Sequence, residues 1–208
     1  MFSLLTIFAG AFVVGLSGAM APGPVLTVTI SETLKRGFKA GPLIVLGHAI
    51  LEILLLTLIA AGLGPFFQHP VVSMVFLSAG GAVLLWMGGK IIITNKQTTE
   101  DALHAKGADS PYGPVWAGIV LSLTNPYWII WWVTVGMGFV TQSLQFGIIG
   151  LLSFYLGHIL ADLAWYSLVS FSVSAGRRLC PPAVYRGVFI VCGIALVCLG
   201  TLFLVKAF

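Results

Sequence analysis

Apolar residues fill this chain in six long runs, at about 3–30, 41–64, 71–93, 114–140, 145–172 and 186–207, with short polar stretches between them. A helix needs about 20 such residues to cross a bilayer, and every run is long enough. The pattern predicts an all-α integral membrane protein of six transmembrane helices, embedded in a lipid bilayer and without a soluble domain. Composition agrees, at 59% hydrophobic and 8% charged residues. Average proteins are about 25% charged.

The long polar stretch at 94–113 divides the runs into two sets of three. It predicts a first repeat at 1–93, a cytoplasmic linker at 94–113 and a second repeat at 114–208, together one membrane domain. The halves correspond in order. Gly47-His48-Ala49-Ile50-Leu51-Glu52 in run 2 matches Gly157-His158-Ile159-Leu160-Ala161-Asp162 in run 5, and Gly81 and Gly88 in run 3 match Gly193 and Gly200 in run 6. Run 1 is interrupted by Pro22-Gly23-Pro24 and run 4 by Asn125-Pro126. Three spans per half is an odd number, so the second half enters the membrane upside down. The expectation is a 3+3 inverted-topology repeat, with a binding site near the midplane at the repeat interface.

Charge then fixes an orientation. Lys35, Arg36, Lys39, Lys90, Lys96, Lys106, Arg177, Arg178 and Arg186 lie in or beside the loops after runs 1, 3 and 5, and only Lys206 falls on the other side. This positive-inside bias places the basic loops in the cytoplasm and both termini outside a bacterial-type plasma membrane. The formal charge of +4 therefore reflects topology, and no nucleic-acid partner is expected. Run 1 is too long for a signal-peptide core and lacks a basic n-region, so it is expected to be retained. Cys180, Cys192 and Cys198 form no Cys-x-x-Cys pair, which reads as apolar packing.

The helix breaks carry chemistry. Pro22 and Pro24 are expected to release the carbonyls of Gly18 and Met20, and Pro126 that of Ser122. Such backbone is tolerated only against protein or a water-filled cavity. Asn125-Pro126 reads as an N-cap and first-turn pair opening a half-helix, and Gly23-Pro24 can do the same. Free N–H groups at residues 25–27 and 126–128 would suit a carboxylate. Pro22, Gly23, Pro24, Asn125, Pro126 and Tyr127 are thus candidate substrate-binding residues. The bland alternative is packing kinks without a ligand.

Glu52 and Asp162 are the only acidic residues deep in the runs, each four residues after a histidine on the same helix face. Ionisable groups in hydrocarbon are costly and mark ion or substrate pathways. Inverted halves would put His48 nearer the cytoplasm and His158 nearer the outside, each pair covering about 6 Å of depth along an extended proton path. The alternative is a hydrogen-bonded lock between spans 2 and 5. As donors the same four residues would also suit a transition metal. Trp128, Trp131 and Trp132 read as interface anchors or packing before pocket walls. Gly80, Gly81, Gly88 and Gly89 read as close helix contacts, and His69 and His104 as solvated loop residues.

Ala21-Pro22-Gly23-Pro24, the basic turn Leu34-Lys35-Arg36-Gly37 with Gly41, and Leu123-Thr124-Asn125-Pro126 resemble the LysE/RhtB-type amino-acid exporter family. Length, hydropathy and the polar central stretch fit along essentially the whole chain. The resemblance implies secondary export of an amino acid or related metabolite from the cytoplasm, driven by a proton or ion gradient. It implies a carrier rather than an enzyme, without a cofactor. Members typically have lysine after Asn-Pro, where this chain has Tyr127. Relatives in the wider superfamily move metal cations, or pass reducing equivalents through membrane cysteines. The second activity is excluded, because runs 1 and 4 contain no cysteine.

The combined expectation is a proton antiporter of a small zwitterionic or cationic metabolite, with Glu52, Asp162, His48 and His158 coupling protons to substrate. The alternative is a divalent metal cation exporter using His48, Glu52, His158 and Asp162 as ligands. An intramembrane metal-dependent hydrolase on the same residues is a further alternative, although no His-Glu-x-x-His string is present. Small residues on several spans leave room for a homo-oligomer.

Overall fold

The computed structural model describes residues 3–20, 23–63, 69–104, 113–176 and 181–207. Among them every regular element is helical. In chain order these are α1 (Leu4–Ala19), α2 (Pro24–Arg36), α3 (Ala40–Leu58, continued by a π-helical turn over Ile59–Leu63) and α4 (Pro70–His104). There follow α5 (Gly113–Leu123), α6 (Pro126–Trp131, continued by a π-helical turn over Trp132–Gly136), α7 (Met137–Leu144), α8 (Gly147–Gly176) and α9 (Pro182–Ala207). Four stretches, Ala40–Gly62, Pro70–Thr94, Gly147–Gly176 and Pro182–Val205, are each long and apolar enough to cross a bilayer. A fifth exists only if α1 and α2, bent by 74°, count as one span.

Local chemistry sets the element ends. Ser3 caps α1 by accepting the Thr6 N–H at 3.2 Å. Extended Gly23 precedes Pro24, whose missing N–H is harmless in a first helical turn. Gly37, at φ +80°, ends α2 in a conformation that favours glycine. The basic end of α2 is tied to its own helix, with Arg36 Nε 2.8 Å and Lys35 Nζ 3.6 Å from Glu32.

The helices turn their polar residues inward. On α3, Leu46, Ile50, Ile53 and Leu54 are exposed while Val45, Ala49 and Glu52 are buried. A bilayer explains this: hydrocarbon tolerates apolar side chains and excludes ionisable ones. Close packing is set by glycines. α4 runs antiparallel to α9, with Gly81 against Gly200 and Gly88 against Gly193. A Cβ on any of the four would fall 2.6–3.1 Å from the facing glycine's carbonyl oxygen. Gly47 and Gly118 press α3 onto α5, against the carbonyls of Val115 and Ile44, and Gly157 presses α8 onto α1 at Phe8. Gly89 faces open space, so not every glycine of that cluster makes a contact.

The structure adds two details to the sequence reading. The polar segment from residue 94 begins as helix, because α4 continues to His104. Lysine, glutamine and glutamate sustain a helix as well as apolar residues do. The fourth apolar run is divided at Asn125, so α5 is too short to cross a membrane by itself. Ala21, Pro22, Lys106, Arg177, Arg178 and Cys180 lie outside the described residues, as do the side chains of His104, Pro126 and Lys206. Cys192 is buried, Cys198 is exposed, and both are free thiols.

Candidate functional site

Close contact between α3 and α5 places His48 beside Ser122. His48 Nδ1 lies 2.6 Å from Ser122 Oγ, while that hydroxyl donates its hydrogen to the Gly118 carbonyl at 2.7 Å. Ser122 must therefore accept from His48, and Nδ1 carries a hydrogen. The other ring nitrogen faces acids: Nε2 is 3.1 Å from Glu52 Oε1 and 3.4 Å from Asp162 Oδ2. Glu52 Oε1 already accepts the indole N–H groups of Trp128 at 3.0 Å and Trp132 at 2.9 Å. His48 thus turns Nδ1 to a hydroxyl and Nε2 to both carboxylates.

His158, one turn before Asp162 on α8, completes the cluster. Its Nε2 is 3.2 Å from Glu52 Oε1 and 3.6 Å from Asp162 Oδ2. Trp131 stacks on the ring with centroids 4.4 Å apart. His158 Nδ1 is buried without a hydrogen-bond partner. It points at Gly15, where even a Cβ would come within 2.8 Å.

All four sequence-predicted proton-coupling residues thus meet in one place. Their arrangement differs from the expected one. Each histidine contacts the carboxylate of the other half as well as its own, and the imidazole centroids are 6.3 Å apart. The groups form one compact cluster instead of a path strung across the membrane, because α3 and α8 are in contact at this level. The Tyr155 hydroxyl, donating to the Ala49 carbonyl at 3.0 Å, fixes that contact.

A cavity of about 550 Å³, its open mouth included, lies against the cluster. His48, His158 and Asp162 form its polar wall, Val25 and Gly18 come from the first helix break, and Asn125 and Tyr127 from the second. A neighbouring space of about 340 Å³ adds Gly23 and Pro24. Among the predicted substrate-binding residues, Gly23, Pro24, Asn125 and Tyr127 therefore line cavities.

The two breaks are unequal. Asn125 caps α6 by accepting the Tyr127 N–H on its side chain at 3.1 Å, and its carbonyl accepts the Trp128 N–H at 3.1 Å. The Ser122 carbonyl accepts the Asn125 N–H, also at 3.1 Å. The expected free amides at 126–128 and the released carbonyl are both absent, because a tight turn consumes them. At α2 the cap is glycine and offers no side-chain acceptor. The amides of Val25 and Leu26 sit in a first turn, where a helix supplies no carbonyl partner.

The tryptophans were undervalued in sequence. Their one signal was spacing: Trp128, Trp131 and Trp132 follow Asn125-Pro126 at intervals that share a helix face.

A family model described as LysE type translocator matches residues 16–207. YcgF of Bacillus subtilis (strain 168), named as a candidate amino acid efflux protein, is 26% identical over 200 residues, covering 96% of this chain and 95% of that protein. A leucine efflux protein of Enterobacter sp. (strain 638) is 31% identical over 139 residues, covering 66% of this chain and 64% of its own length. ChpE of Pseudomonas aeruginosa PAO1, named a chemotactic transduction protein, is 26% identical over 209 residues, covering 96% and 98%. No solved structure matches.

Proposed function

The chain belongs to the LysE type translocator family, and from that premise we propose that it exports a small apolar amino acid or related metabolite from the cytoplasm by proton antiport. One observation carries the reading: the His48 imidazole stands between two buried carboxylates, Glu52 and Asp162, beside a cavity that both helix breaks enter. With one imidazole protonated, one positive charge offsets one carboxylate. The remaining negative charge can take either a proton or a substrate ammonium, and that competition is antiport. The substrate's carboxylate is received by the Val25 and Leu26 amides at the start of α2, where helix polarity favours an anion. Val25, Ile44 and Val45 offer the cavity wall to an aliphatic side chain, in keeping with relatives named for leucine and amino acid efflux.

The transport cycle uses six spans as a 3+3 inverted repeat with both termini outside, the breaks in runs 1 and 4 acting as the two half-helix junctions. The packing supports this reading. Exchanging the halves converts the α1–α8 contact into the α3–α5 contact and returns α4–α9 to itself. It also exchanges the glycine pair Gly81–Gly200 with Gly88–Gly193. Two halves able to trade conformations are what alternating access requires.

Purified protein in vesicles with an imposed pH gradient tests the function. Leucine and other small amino acids should move against the proton flow, and Glu52→Gln and Asp162→Asn should abolish that coupling in folded protein. Undiminished coupled flux with both substitutions in place would overturn the reading. A divalent cation as cargo is the second reading, favoured by the ligand atoms of His48, His158 and Asp162 lying within 4.8 Å of one another. Gradient-driven Mn²⁺ or Zn²⁺ flux without amino-acid flux would select it.

A further inference from the structure

The two carboxylates of the cluster are chemically unlike. Glu52 is fully buried and is absent from the cavity wall. Its Oε1 receives two indole N–H groups and faces both imidazole Nε2 atoms. Its second oxygen, Oε2, is buried without a hydrogen-bond partner, away from the cavity wall. Asp162 lies on the cavity wall. Its Oδ2 makes no hydrogen bond and stands 3.4 and 3.6 Å from the two imidazole nitrogens. Around it the cavity carries the rings of Tyr127, Trp128, Trp131 and Tyr166, with no lysine or arginine among its lining residues. A carboxylate beside aromatic rings, whose basic neighbours are titratable imidazoles and not a lysine or arginine, is a seat for an ammonium group.

We propose that, of the two carboxylates, only Asp162 contacts the substrate, through an ammonium nitrogen attached to a short apolar body, and that Glu52 is a positioning residue that never touches it. This rests on the exporter reading and divides the labour within its site. Glu52, held from behind by Trp128 and Trp132, fixes both imidazoles so that Asp162 is presented to the cavity with an oxygen to spare. The two substitutions that abolish coupled transport should then differ in binding: one removes the seat, the other only its support.

The test is equilibrium binding to the full-length protein in detergent, read by quenching of tryptophan fluorescence, since Trp128 and Trp131 line the cavity. Three probes separate the groups: leucine, 3-methylbutylamine without the carboxylate, and 4-methylpentanoate without the amine. Both amines should bind saturably, and 4-methylpentanoate should not. Asp162→Asn should weaken the amines about tenfold or more, as loss of a charge-assisted contact implies, with partial recovery in Asp162→Glu. Glu52→Gln should weaken them distinctly less than Asp162→Asn does, because the seat itself stays in place. Should Glu52→Gln fail to fold, Trp132→Phe makes the same comparison, because Trp132 holds Glu52 without lining the cavity. The inference is overturned if 4-methylpentanoate binds as well as leucine, or if disturbing Glu52 weakens the amines as much as Asp162→Asn. It is also overturned if neither amine binds, and the exporter reading then stands or falls by its own flux assay.

Discussion

Replacing Glu52 with leucine or with glutamine separates two roles that a single substitution would merge. Both variants remove the buried charge and its desolvation cost, so that large term cancels between them. What differs is the acceptor. Glutamine keeps a carbonyl oxygen where Oε1 receives the Trp128 and Trp132 indoles, whereas leucine leaves both N–H groups without a partner. Each buried donor so orphaned costs about 1–3 kcal/mol, which makes Glu52→Leu less stable than Glu52→Gln by about 2–6 kcal/mol. For a chain of this size, each kcal/mol moves the melting midpoint by roughly 2–4 °C. Thermal unfolding in one detergent should thus place the leucine variant about 4 °C or more below the glutamine variant. A double-mutant cycle sharpens the assignment: Trp132→Phe should destabilise the parent, yet recover stability in the Glu52→Leu background by removing an orphaned donor. Equal melting of the leucine and glutamine variants would refute the claim that the indoles hold this cluster together.

Four further outcomes test the fold and the proposed topology. Gly47→Ala drives a Cβ into the Val115 carbonyl, so it should cost about 1–3 kcal/mol on thermal melting. Gly89→Ala, facing open space, should instead stabilise α4 by about 0.5–1 kcal/mol. Asn125→Ala removes the cap on the Tyr127 amide and should cost about 1 kcal/mol, with reduced flux in vesicles. Membrane-impermeant labelling of cysteines placed at each end of the chain should reach both termini in intact cells. Labelling of either only after lysis would reject the proposed orientation.

Much of the helical framework was legible because hydrophobicity and length are local properties. The runs at 41–64 and 145–172 correspond to α3 with its π turn and to α8, and helices start at Pro24 and Pro126. Where the structure adds to the sequence, local and non-local partners share the work. α4 carries Lys96 as helix within the polar stretch. The Tyr127 amide is taken by the side chain of Asn125, two residues earlier. Trp132 resembles any membrane-interface tryptophan, until its N–H is found 2.9 Å from a carboxylate 80 residues earlier.

Composition and spacing by themselves determined that this chain is helical and membrane-embedded, and that His48 shares a face with Glu52 and His158 with Asp162. Those properties depend on residues within a few turns of one another. Only the tertiary structure decided that the two pairs interlock as one cluster, that Glu52 is sealed while Asp162 meets the cavity, and that Ser122 fixes the hydrogen on His48. Each of these depends on how closely separate helices approach. Glycines at 47, 118 and 157 set that approach by contacts with backbone more than 60 residues away in sequence, which a pattern along one helix does not encode.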